Sequence, residues 1–361
     1  MLGMNAKFWR GRRVFLTGHT GFKGSWLSLW LNGLGARVTG YALAPPTTPS
    51  LYETCNVAST LEKDIRGDIL DAARLREDLI RSEPEVVVHM AAQALVRQGY
   101  RDPVTTFATN LQGTVHVLDA VRQTPSVRAA LIVTTDKCYA NAQLGHAFRE
   151  SDELGGSDPY SASKACAEIA THAWRSSFAA NDSAPHPAIA SVRAGNVIGG
   201  GDWAADRLIP DCIRAFSARE PAVLRYPHAV RPWQHVLEPL AGYLMLAEKL
   251  AGETPDRFAG AWNFGPDASS EATVQDVAQG IAHIWGSGAE VRVSEDAVEY
   301  YESGSLRLDS TKAKTELGWR PRFTFTEALA ETARWYRASA LGEDVLRLTL
   351  AQIDAYAERL A

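Results

Sequence analysis

The sequence predicts an α/β fold in which a doubly wound parallel sheet leads into a smaller C-terminal α/β lobe. Two observations carry this. Short β-branched runs alternate with helix-length segments from Arg12 to about Ser191, and a glycine-spaced turn follows the first run. Strands separated by helix-length segments need right-handed crossovers, which lay the strands parallel in one sheet.

In chain order, "RVFLT" (13–17), "ARVTGYAL" (36–43), "PEVVVHMAA" (84–92), "AALIVTTD" (129–136) and "PAIASVRAG" (187–195) read as strands. "EVVVHM" is apolar at successive positions, as a central strand covered on both faces requires. The turn after the first run leads into a helix expected from about Ser25 to Leu34. Beyond Asn196 the chain changes to loops rich in Gly, Pro and Trp, with helices expected at Pro239 to Leu250 and from near Thr326. The division expected is 1–194, with later segments partly returning to it, and 195–361, the boundary near Ala194 being soft.

With 361 residues and 46 % hydrophobic content, the chain can bury a large core. A net charge of −5 argues against nucleic acid or a polybasic membrane contact, so a small-molecule partner is expected. Cys55, Cys138, Cys166 and Cys212 are far apart and form no C-x-x-C pair, which reads as reduced thiols in a cytoplasmic protein. The N-terminal residues lack the apolar core of a signal peptide, and no stretch reaches the ~18 apolar residues of a membrane span. His19, His89 and His235 have no metal-ligand spacing, so no metal is expected.

"FLTGHTGFKGSWL" places Gly18, Gly21 and Gly24 at three-residue intervals between a strand and a helix. That setting suits a pyrophosphate: unpaired amides and the positive helix end face the anion, and glycine lets it come close. The acid that would bind a ribose hydroxyl after the second strand is missing from "VTGYALAPP", so NAD and NADP are not distinguished by that rule. Asp68 in "RGDIL" either approaches the adenine or caps a turn. "MAAQ" ends another strand on the cofactor side.

"DPYSASKACAE" holds Tyr160 and Lys164 four residues apart on one helical face, either as a solvated pair or with the Lys charge stabilising a phenolate. "VTTDKCY" brings Thr135, Asp136 and Lys137 to the carboxyl edge of the sheet, where open α/β sheets bind ligands. Read as structure alone, Asp136 and Lys137 would be a surface ion pair and Thr135 a cap.

Taken with "TGHTGFKG" and "MAAQ", the trio Thr135, Tyr160 and Lys164 resembles the extended short-chain dehydrogenase/reductase family, and the likeness runs through "LGW" (317–319). "TTDKCY", "RAGNVIGGGDWAADRLIPD" and "RPWQHVLEPLAGYL" are similar to that family's nucleotide-sugar 4,6-dehydratases, with CDP-glucose the implied substrate. The resemblance implies a Rossmann-like fold, NAD and a homodimer joined through helices. For the cofactor it implies Gly18, His19, Thr20, Gly21, Phe22, Lys23, Gly24, Asp68, Ile69, Ala91, Ala92, Gln93, Tyr160 and Lys164. For the nucleotide sugar it implies Asn196, Arg207, Leu208 and Arg231, the guanidinium groups being suited to a diphosphate.

The chemistry implied is removal of the C4 hydroxyl proton by Tyr160 with C4 oxidation, loss of water across C5 and C6, and reduction at C6. Asp136 is the expected acid for the leaving hydroxyl. Related dTDP-glucose enzymes carry Glu after that Asp, whereas this chain has Lys137. Lys137 either takes the C5 proton while neutral or stabilises the enolate as another group moves the proton. The competing readings are another nucleotide-sugar dehydratase, a 4-epimerase, which would not need Asp136 and Lys137, and a non-catalytic NAD-binding protein.

Overall fold

The computed structural model describes residues 4–140, 146–178, 186–286, 288–294 and 306–360. Thirteen strands lie among these residues: β1 (Arg13–Thr17), β2 (Arg37–Ala42), β3 (Lys63–Arg66), β4 (Val86–His89), β5 (Ala129–Val133), β6 (Ala188–Arg193), β7 (Val197–Ile198), β8 (Ala222–Leu224), β9 (Val230–Pro232), β10 (Gln234–His235), β11 (Gly260–Asn263), β12 (Glu271–Thr273) and β13 (Val291–Val293). The helices of ten or more residues are α1 (Phe22–Gly33), α2 (Ala72–Ser82), α3 (Gly113–Arg122), α4 (Pro159–Phe178), α5 (Leu208–Ser217), α6 (Leu237–Leu250), α7 (Val274–Trp285), α8 (Phe325–Ala340) and α9 (Val345–Leu360).

Seven strands form one parallel sheet in the order β11-β6-β5-β4-β1-β2-β3. The order runs outward in opposite directions from the β4–β1 pair. The crevice beyond the carboxyl ends of those two strands is therefore the topological switch point. Five strands match the apolar runs. β3, "KDIR", escapes that reading because it is a largely exposed edge strand with little apolar signal. β11 comes from the second half of the chain and pairs with β6 from Gly260 opposite Ala190 to Asn263 opposite Arg193.

Alternation along the strands builds two cores. Val14, Leu16, Val86, Val88, Leu131 and Val133 face one side, while Phe15, Val87, Ala130 and Ile132 face the other. The second side is covered by α2 through Leu75 and Leu79 and by α3 through Val117, Leu118 and Val121. The first is covered by α1 and by α6, whose Leu240, Leu244 and Leu246 belong to the same cluster as the strands. Residues on both sides of position 194 thus share one core. α1 begins at Phe22, three residues before the expected start, because Gly21 turns directly into it with no capping side chain to mark the place. α6 begins at Leu237, and α8 begins at Phe325 behind the Thr324–Glu327 capping box.

Glu238 fastens the C-terminal layer to α6. Its carboxylate accepts the Arg322 amide (2.9 and 3.1 Å), the Phe323 amide (2.7 Å) and the Tyr356 hydroxyl (2.6 Å). Burial pushes this carboxyl up to about 7, although its hydrogen bonds pull the other way. The folded chain therefore takes up a proton that the unfolded chain has released. The resulting stability is complete below the ordinary glutamate range and is lost as pH rises toward 7. Between about pH 5 and about pH 8, the melting temperature of the native chain should fall relative to that of Glu238→Gln. Parallel melting curves by circular dichroism would show that Glu238 does not titrate in this range.

Candidate active site

The first wall of the switch-point crevice is made of closely packed backbone. Gly18 has φ +76°, and a Cβ there would lie 2.6 Å from the Ala91 amide nitrogen; a Cβ on Gly24 would overlap the Gly18 carbonyl. On Gly21 a Cβ would meet only the Gly18 oxygen, at 3.4 Å, an ordinary contact. The first-turn amides of α1 lack carbonyl partners inside the helix, and that turn carries no acidic side chain. A cradle of glycine backbone at a positive helix end fits a dinucleotide pyrophosphate.

The loop's side chains have distinct places. Thr20 Oγ1 donates to Leu43 O (3.0 Å), and Phe22 packs against the main core. His19 is fully buried: its Nε2 lies 2.8 Å from Asp64 Oδ1, and its ring occupies the space above Gly40. Tyr52 and Arg66 also bond to Asp64. Burial lowers the His19 pKa, against the pull of Asp64. An acid therefore does reach the region beyond β2, from β3. It was not legible because it lies 45 residues from His19 on a charged edge strand. Asp68 caps its own turn by accepting the Leu70 amide (2.9 Å), and Ile69 is buried beneath Gly113. Ala91 and Ala92 follow β4. The Gln93 side chain bonds to Thr106 Oγ1 (2.8 Å) and to the Leu95 amide (2.5 Å).

The opposite wall is the end of β5 together with α4. β5 stops at Val133, and Asp136–Cys138 forms a tight turn in which Thr135 Oγ1 accepts the Lys137 amide (3.3 Å). Thr135 donates to Asp136 Oδ1 (2.8 Å), and Asn196, held at φ +49°, donates to Asp136 Oδ2 (3.5 Å). Asp136 is buried against Gly195, where any Cβ would overlap its carboxylate. Asp158 fixes the start of α4 by accepting the Ser161 amide (3.0 Å), which sets Tyr160 in the first turn. Lys164 follows one turn later and donates to Val133 O (3.2 Å).

The electrostatics of this wall are those of a dry site. Burial pushes the Tyr160 phenol up to about 12; Asp136 adds to the rise, while Thr135 and Arg207 oppose it. Burial lowers Lys164 to about 8, against the charge of Glu168. Lys23 extends from the glycine loop into the same space and donates to the Tyr243 hydroxyl (3.3 Å). Burial takes Lys23 down to about 7, with Arg207 and Lys164 adding and Asp136 opposing. The sequence placed Lys23 only with the cofactor loop; the structure also makes it a neighbour of the catalytic candidates. Arg207 is held by Asp202 (2.7 Å), whose charge raises its pKa.

Thr135, Asp136, Tyr160, Lys164, Lys23, Asn196 and Arg207 are thus brought together, and Lys137 adjoins them, half-buried. Leu208 begins α5 and packs toward the core. Arg231 lies on β9, buried, with Nη1 donating to Val230 O (3.0 Å). A cleft with a buried acid, a phenol one helical turn from a lysine, and convergent cations can move protons on a bound anionic ligand.

Comparison with known proteins gives the family and supports the fold. The family model described as GDP-mannose 4,6 dehydratase matches residues 15–332. The CDP-glucose 4,6-dehydratase of Salmonella typhimurium is 46 % identical over 355 residues, covering 98 % of each chain. Among solved structures, UDP-glucose 4-epimerase from Thermotoga maritima superposes with a TM-score of 0.77 at 20 % identity, covering 91 % of this chain and 99 % of its own. The dTDP-glucose 4,6-dehydratase of Streptomyces venezuelae, solved with NAD bound, gives 0.75 at 24 % identity and covers 92 % and 99 %. These two likenesses establish the fold. The match over most of the chain and the near-complete coverage of a relative at 46 % identity establish more: this chain belongs to the GDP-mannose 4,6 dehydratase family, among the extended short-chain dehydrogenases/reductases.

Proposed function

We propose that the chain is an NAD-dependent hydro-lyase that converts CDP-D-glucose to CDP-4-dehydro-6-deoxy-D-glucose and water in deoxysugar biosynthesis. The observation that carries this reading is the buried Asp136 carboxylate, joined to Thr135 and Asn196 beside Tyr160. Neither a 4-epimerase nor a simple dehydrogenase has a leaving hydroxyl for such an acid to protonate. The full-length relative that acts on CDP-glucose supports the substrate.

Gly18, Gly21 and Gly24 with the first turn of α1 would hold the pyrophosphate of the cofactor, and Lys164 its nicotinamide end. When bound, NAD⁺ supplies the hydride acceptor at C4 and the same hydride for C6. Tyr160 takes the C4 hydroxyl proton while Thr135 holds that oxygen. Thr135 and Arg207 favour the phenolate against the burial that raises it, and Lys164, one turn along the helix, adds a further cation on the same face. The resulting C4 ketone acidifies the C5 hydrogen, which Lys137 removes and later restores. Asp136 enters this step as the neutral acid and gives its proton to the C6 hydroxyl as the C6–O bond breaks, so that water leaves; the C4 hydroxyl proton held by Tyr160 then replaces it, which restores both groups. Arg207 and Arg231 take the diphosphate, with Asn196 and Leu208 beside it.

In the same reading, 1–194 chiefly binds the dinucleotide, 195–361 chiefly binds the nucleotide sugar, and the protein is a cytoplasmic homodimer. Support for a helix-mediated dimer is Ile169, 56 % exposed on α4, and Val104, 78 % exposed nearby in sequence to α3.

The deciding experiment supplies CDP-, dTDP-, UDP- and GDP-glucose with and without NAD⁺ and follows the product by mass. CDP-glucose should lose one water and form a 4-keto sugar; failure to dehydrate any of the four would remove the proposal. Because Gly21 has φ −79°, Gly21→Ala should fold with an unchanged melting temperature yet bind NAD⁺ about tenfold more weakly by calorimetry. Unaltered affinity would place the pyrophosphate elsewhere. Lys137→Ala should keep NAD⁺ affinity and lose about 10²- to 10⁴-fold in formation of the 4-keto-6-deoxy sugar. Full turnover in that variant would take Lys137 out of the mechanism.

A further inference from the structure

Glu168 closes the segment "DPYSASKACAE", one helical turn beyond Lys164 and two beyond Tyr160. It is 3 % exposed, and its carboxylate is fully engaged. Oε1 accepts Thr134 Oγ1 (2.5 Å), and Oε2 accepts Ser191 Oγ (2.6 Å) and Arg193 Nη2 (2.7 Å). Thr134 immediately precedes Thr135 and Asp136, and its amide bonds back to Val192 O (2.9 Å). Arg193 extends the chain of contacts: Nη1 donates to the Tyr139 hydroxyl (2.7 Å), which donates to Asn263 Oδ1 (2.7 Å). One buried line of polar groups therefore joins α4, the carboxyl ends of β5, β6 and β11, and the turn that carries Lys137.

Stability alone is a poor reason for such a line. The desolvation of a buried ion pair offsets most of its attraction, and apolar side chains of similar volume hold a core as well. What the pair does provide is a fixed anion beside a buried lysine. The charged or titratable groups around Lys164 are Lys23 from α1, His89 from β4, Cys138 from the turn after β5, and Tyr160 and Glu168 on its own helix, with Arg193 from β6 behind Glu168. Glu168 is the foremost of those that favour its charged form.

We propose that Glu168 is a positioning residue for the reaction: with Arg193 it sets the helix bearing Tyr160 and Lys164 in register with the strand ends bearing Thr135 and Asp136, and it supplies the countercharge that keeps Lys164 cationic. The assignment rests on the dehydratase reading for its catalytic consequence, but the state of Lys164 can be read without substrate. The ε-¹³C resonance of Lys164, identified by its loss in Lys164→Met, reports the titration directly. In Glu168→Gln its midpoint should fall by about one pH unit or more. In Ser191→Ala, which removes one hydrogen bond and keeps the charge, it should stay in place.

The alkaline limb of kcat/KM for CDP-glucose should move the same way in Glu168→Gln, with kcat lowered more than KM is raised. If Arg193, left without its partner, prevents that variant from folding, Glu168→Gln combined with Arg193→Gln leaves no lone buried charge and should show a smaller shift in the same direction, because the cation behind Glu168 is removed with it. An unmoved Lys164 midpoint in whichever variant folds, or an equal shift in Ser191→Ala, overturns the assignment. A native chain that forms no keto-deoxy sugar overturns the dehydratase reading instead, and the resonance still decides the role of Glu168.

Discussion

The structure depends on the contact between two backbones at the switch point, where the turn after β1 meets the turn after β4. Gly18 can approach Ala91 only because it has no side chain and sits at positive φ. The contact is fixed from below by Thr17, whose Oγ1 accepts the Met90 and Ala91 amides (3.1 and 3.2 Å). That hydroxyl must then donate its own hydrogen to His89 Nδ1 (2.7 Å). Burial pushes His89 down to about 3, so it stays neutral, and its Nε2–H turns to Thr114 Oγ1 (3.1 Å), which donates to Asn110 O (2.6 Å). The glycine loop thus stands on a directional chain of hydrogen bonds that reaches α3.

Above that foundation the crevice concentrates charge where there is little water to screen it. Lys23, Lys164, Arg207 and Asp136 act on one another or on Tyr160, and burial is the largest influence on Lys23, Lys164 and Tyr160. Asp202 and Glu168 offset Arg207 and Lys164, which leaves Lys23, lowered to about 7, as the cation whose charged form an entering nucleotide diphosphate would favour most. The same physics makes the glycine loop more than a binding element. Through Lys23 its first helical turn adds a cation beside Lys164, Arg207 and Asp136, and through Tyr243 it touches α6.

Sequence was informative where a backbone geometry or chemical role is written locally. The five apolar strands, the glycine spacing, the Tyr160–Lys164 turn and the strand-end Thr135 and Asp136 all depend on neighbours within a few residues. β3 was hidden because an exposed edge strand need not be apolar, and the start of α1 because Gly21 offers no capping side chain. The Asp64–His19 contact and the line from Glu168 to Asn263 join residues from separate strands and loops, so no local spacing announces them. Asp68 shows a different limit: its motif left two roles open, and the structure gives the Leu70 amide as its partner.

The edge strand β11 and the covering helix α6 have a consequence for how this enzyme can be recombined with its relatives. A chimera joined at position 194 would exchange the outermost strand of the sheet and a layer whose leucines interdigitate with β5. Specificity therefore does not travel as a detachable cassette. A graft that carries a new sugar or base preference must either match the incoming α6 and β11 to the resident strands or confine itself to the loops between them.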